Sequence, residues 1–155
     1  MTGLWSKQNL LHALDQTHAE VKAIDEFVSG EEIVALRGEI QKENWESKAA
    51  PIVQIEANQV GRDAVKITVA AGYSVVVGVD RLVLVNDEFD RNYQFVAAKN
   101  LTLNHCCQIV DVYDYFEGGL FGDSQIVGLK LLKDVLQTQI TTPDNTFVVC
   151  NNIVV

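Results

Sequence analysis

The sequence predicts an α+β fold: an N-terminal helix or helical hairpin, then a mainly antiparallel β-sheet, sandwich or small barrel, with one further helix near the C-terminus. Three observations predict it. Apolar residues in the first 46 positions recur at helical spacing. From Ile52 they alternate with period two. Between 126 and 140 the helical spacing returns. The 155 residues read as a single domain, a helical arm over 1–46 and a mainly β body over 51–155. A chain of this length can bury a core without disulfide or metal staples.

Ser6 is placed to cap a first helix that runs to about Val28. Its apolar positions are Leu10, Leu14, Val21, Ile24 and Val28, and with Thr17 the steps alternate four and three, as in a coiled-coil seam. The same stripe also suits a helix packed on its own domain. Ser29-Gly30-Glu31-Glu32 has the form of a capping box and introduces a second helix with Ile33, Leu36 and Ile40 on one face. Gly38 weakens that helix, and a short strand over 33–36 competes with it. The polar stretch 41–50 reads as a connector ending before Pro51.

In the body, 52–57 and 65–70 read as strands around a loop over 58–63. Val65, Ile67 and Val69 alternate with Lys66 and Thr68, which implies one wet face. Val75, Val77 and Val79, then 82–85, 93–98, 101–103 and 106–116, continue the run, and short strands at this spacing suggest a sheet, sandwich or small barrel. Leu129, Leu132, Leu136 and Ile140 favour a helix over 126–140; Val127, Leu129 and Leu131 also fit a strand, but that pattern slips at Leu132. Ile153, Val154 and Val155 end the chain with no charged gatekeeper, so they are expected to pair within the sheet or against another subunit.

With 21 acidic and 12 basic residues the net charge is −9. No basic patch is present to displace counterions from phosphates, so neither nucleic acid nor an anionic membrane is an expected partner. The N-terminus has no secretory leader pattern, and three cysteines, two adjacent, are not a disulfide framework. The expected location is the cytoplasm, or an intracellularly assembled particle.

No catalytic motif stands out. His105, Cys106 and Cys107 are consecutive, so on a strand they diverge rather than converge on a metal. Asp111 and Asp114 fall on opposite faces of a strand, which argues against a carboxylate pair. The glycine loop over 118–124 lacks the spacing and the lysine of a phosphate loop and presents Leu120 and Phe121 at its tip. The acidic turn over 86–92 lacks the glycine and glutamate of a calcium loop. No cofactor, metal or catalytic residue is therefore expected.

The expected function is a non-enzymatic assembly or scaffold subunit, such as a structural protein of a virus-like particle or larger complex, partnered by copies of itself. Its expected interface is Leu10, Leu14, Val21, Ile24, Val28, Leu120, Phe121, Ile153, Val154 and Val155. One alternative is a small acidic inhibitor or immunity-type protein that binds a basic protein. A second is an enzyme or small-ligand binder with a polar pocket at His105, Asp111 and Tyr113.

Overall fold

The computed structural model describes residues 3–5, 7–13, 19–28, 31, 33–41, 44–52, 54–87, 93–110, 121–141 and 146–155. Among them are thirteen strands, no α-helix, and two single 3-10 turns at Ile24–Glu26 and Ala98–Asn100. The N-terminal strands are β1 (Gly3–Trp5), β2 (Asn9–Ala13), β3 (Ala19–Ala23), β4 (Ile33–Gln41) and β5 (Asn44–Ile52). The middle of the chain forms β6 (Gln54–Val69), β7 (Ser74–Gly78), β8 (Leu82–Asp87), β9 (Tyr93–Ala97) and β10 (His105–Val110). The chain closes with β11 (Phe121–Thr141), β12 (Thr146–Cys150) and β13 (Ile153–Val154). Their antiparallel pairings run β1-β7-β6-β11-β10-β13-β12-β2-β4-β5, with β3 on β2 and with β8 joining β10 to β9.

The α+β expectation is thus overturned: the described chain is nearly all antiparallel sheet. Within the expected helical arm over 1–46, the described residues form β1 and the strands of two antiparallel pairs, β2 with β3 and β4 with β5. In the first, Leu11 pairs with Val21 and His12 with Glu20. Leu10 and Leu14 are four apart, a spacing that also satisfies period two, so the apparent heptad did not exclude strands. In the second pair, Ile33 pairs with Ile52 and Gln41 with Asn44, so residues 44–50 of the expected polar connector are strand. Gly38 lies within β4 opposite Ser47. Pro51 sits in β5, which ends the strand order, where a missing N–H is tolerated.

The helix expected over 126–140 is the long strand β11. Its first residues pair with β10, Val110 opposite Phe121, and from Ile126 onward it pairs with β6. The slip at Leu132 is a bulge: register shifts between Leu132 and Val135, and Asp134 takes φ 51. One extra residue moves the following side chains to the other face, so Leu132 and Leu136 acquired helical spacing by accident. The loop expected over 58–63 is strand, because β11 supplies partners for residues 59–62 between two register shifts. The strands expected at 75–79, 82–85 and 93–98 are present as β7, β8 and β9, whereas 101–103 is not strand.

The core forms where β6, β7, β8, β10, β12 and β13 turn their apolar rows inward. Val65, Ile67 and Val69 are buried while Lys66 is exposed, as their alternation requires. Ile153, Val154 and Val155 are buried within the chain itself. Each such side chain contributes on the order of 2 kcal/mol of transfer free energy.

Candidate functional site

The described segments nearest the two ends of the chain meet on β7 and the turn that follows it. Leu4 of β1 pairs with Val77. Four residues later, the Arg81 guanidinium donates to the main-chain oxygen of Val155 at 3.1 Å. That oxygen also accepts from the Val148 N–H at 3.0 Å, and the Val155 N–H returns a bond to Val148 at 2.9 Å. The turn holding Arg81 is closed by its own N–H on Gly78 O at 3.0 Å, and Ala98 N–H donates to Arg81 O at 2.9 Å.

Side-chain amides reinforce this junction. Gln8 Nε2 donates to Val76 O at 2.6 Å, and its Oε1 accepts from Val76 N–H at 2.5 Å. One amide side chain thereby takes the place of a strand peptide on the edge of β7, beyond the reach of the short β1. Asn151 Nδ2 donates to Ser74 O at 3.0 Å, while its Oδ1 accepts from Asn9 N–H at 3.3 Å. Asn151 and Asn152 sit at φ 50 and 68 between Cys150 and Ile153, the two-residue turn a tight hairpin demands.

Arg81 is 6% exposed, and burial pushes its guanidinium down to about 10, partly offset by the neighbouring Cys150 sulfur. Burial pushes the Cys150 thiol up to about 12 against the opposing pull of Arg81. The Cys107 thiol is likewise pushed up to about 12 by burial and then by Cys106. A nucleophilic cysteine needs the thiolate, so neither thiol is primed for attack at neutral pH. Among the described residues no group of three or more His, Cys, Asp or Glu side chains could hold a metal ion.

Of the expected interface residues, Leu10 and Ile24 are buried in the core with Ile153, Val154 and Val155, whereas Val21 and Val28 are exposed. Phe121 begins β11, and Leu14 and Leu120 lie outside the described residues. Of the expected polar pocket, Asp111 and Tyr113 also lie outside them. His105 closes a local turn, its Nδ1 accepting from Thr102 N–H at 3.0 Å. Sequence reading missed Gln8, Arg81 and Asn151. Only Asn151-Asn152, between two β-branched runs, carried a local signal, that of a hairpin turn.

Solved structures resemble this architecture over nearly its whole length. The intein from a hyperthermophile superposes with a TM-score of 0.73 at 11% identity, covering 99% of this chain and 98% of that one. The DnaB intein from Synechocystis gives 0.72 at 11% identity over 99% and 96%. The transcription factor IIB Mvu mini-intein gives 0.71 at 11% identity over 99% and 98%. The chain has the intein fold. At this identity the likeness shows the fold and nothing further. No protein-family model and no curated protein matches the chain. The expected assembly-subunit function is corrected by this finding: the neighbours that share the fold are inteins, not scaffold or inhibitor proteins, and the alternative readings gain no support from them.

Proposed function

We propose that the chain is a protein-processing domain of the intein type, which holds the polypeptide segments joined to its two ends side by side so that a peptide bond between domain and flank can be broken. The observation that carries this reading is the convergence of β1 and the Val155 end on Val77–Arg81, within an intein fold that covers 99% of the chain. Holding two segments in one place turns a bimolecular encounter into an intramolecular one and removes much of the entropic barrier. Arg81 supports the reading further. A guanidinium buried beside the main-chain oxygen of Val155 is suited to stabilising negative charge as it develops on a carbonyl at that end. With Cys107 and Cys150 held protonated, the attacking group is a residue other than these two.

The test places the chain between two folded reporter proteins of different mass. Denaturing gels and intact-mass spectrometry then follow the purified precursor from mildly acidic to mildly alkaline pH. Time-dependent loss of precursor, with a fragment cut at either end of the chain or a joined pair of reporters, is the expected result. Arg81→Met is expected to slow it about tenfold or more. A precursor that stays intact throughout, in a chain shown to be folded, overturns the reading.

A further inference from the structure

A second polar constellation lies away from the chain ends, where β8, β9, β10 and β11 run side by side. Asn86 pairs with Tyr93 on one side and with Cys106 on the other, and Gln108 pairs with Asp123. Partners across an antiparallel ladder share a face, and so do residues two apart on one strand. Tyr93, Asn86, Gln108 and Asp123 therefore look out from the same side of the sheet. Asn86 and Gln108 are 4% and 2% exposed, Tyr93 is half-buried, and Asp123 is exposed.

The hydrogen bonds here are lopsided. Asn86 Nδ2 donates to Asp123 Oδ2 at 2.8 Å, and Gln108 Nε2 donates to Asp123 Oδ1. Burial and then the Asp123 charge push the titration of the Tyr93 hydroxyl up, and a bond to Gln108 opposes them. The Asp123 carboxylate thus rests on two neutral amides. Asn86 Oδ1, on the amide already turned toward Asp123, is buried and has no hydrogen-bond partner among the described residues. A buried acceptor without a donor costs on the order of 1–3 kcal/mol, a cost that a bound donor would remove.

We propose that this face binds a primary ammonium group, with Asp123 as its counter-charge and Asn86 Oδ1 as a second acceptor. The charge identifies a cation, and the orphan oxygen calls for one that donates hydrogen bonds. An ammonium presents three donors around one atom and suits acceptors on different strands. A guanidinium fork seeks the edge of a carboxylate, and here an amide already occupies each oxygen. Those amide protons equally oppose a divalent metal, which needs several oxygens turned toward it. The inference is independent of the processing activity.

Titration of the isotopically labelled chain with butylammonium chloride tests it, alongside the tripeptide amide acetyl-Gly-Lys-Gly and, at matched ionic strength, tetramethylammonium chloride. Saturable shifts of the Asn86 and Gln108 side-chain amide signals with butylammonium, the lysine peptide or both support the site. Tighter binding of the peptide identifies a lysine side chain as the source, and tighter binding of butylammonium a free amine. Asp123→Asn and Asn86→Leu should each weaken binding about tenfold. Should Asn86→Leu not fold, Asp123→Asn at an exposed position, in a chain whose other signals are unchanged, keeps the test decisive. Absence of saturable shifts from both amines, or equal shifts from tetramethylammonium, which has no N–H to donate, overturns the proposal.

Discussion

Raising the pH above 9 should destabilise this protein through two buried thiols. Cys107 and Cys150 are fully buried, and burial holds both near 12 against an ordinary value of 9.0. In the unfolded chain each thiol ionises near 9.0, whereas in the folded chain each keeps its proton to about 12. The folded state therefore binds more protons across that window, so stability is complete below it and falls as pH rises through it. From about pH 8 to about pH 10 the linkage integral is roughly 1.3 kcal/mol per thiol, or about 2.7 kcal/mol for the pair. Arg81 works the other way. Its folded value of about 10 lies below the ordinary 12.5, so the unfolded chain binds the extra proton and stability rises by about 0.4 kcal/mol by about pH 10. The net expectation is a loss of about 2 kcal/mol. Urea denaturation under reducing conditions measures it at both pH values, in the native sequence and in the Cys107→Ala/Cys150→Ala variant. The variant starts lower because of its cavities, so the comparison is between slopes. A variant that loses as much stability over the interval as the native chain refutes the reasoning.

Gln8→Leu should cost about 2–5 kcal/mol in urea denaturation, because it strips the donor and the acceptor from the Val76 peptide group while keeping an apolar side chain in place. The turn at 151–152 separates two roles. Asn152→Gly should be neutral or stabilising by a few tenths of a kcal/mol, since glycine relaxes its positive φ. Asn151→Gly should lower stability by about 1–2 kcal/mol in the same assay, because the bonds to Ser74 and Asn9 are lost with the side chain.

Legibility in the sequence followed the range of the information each element needed. β7, β8 and β9 announce themselves by alternation and turn residues, so they could be read directly. β2 and β3 could not. Each has only five residues, too few to separate period two from period 3.6, and their strand state depends on each other and on β4 and β12. β11 misled for a different reason. Its apolar pattern is written for three partners, β10, then β6, with β1 along its far end, and it includes a bulge, so no single period describes it.

The candidate site was hidden more deeply, because no local signal exists for a contact made by one side chain across the fold. Gln8 reaches Val76, and Arg81 reaches Val155, only after the sheet has brought distant strands to one edge. Reactive residue types are dense over 105–123, whereas the topology gathers the chain at β7 and the turn that follows it. The cysteines show the consequence: the strands that carry Cys107 and Cys150 turn both inward and hold them protonated. The same sheet places Arg81, an unremarkable residue in sequence, beside the main-chain oxygen at the Val155 end. In a fold built from long-range pairing, the chemistry available at a residue is decided by which strand lies opposite.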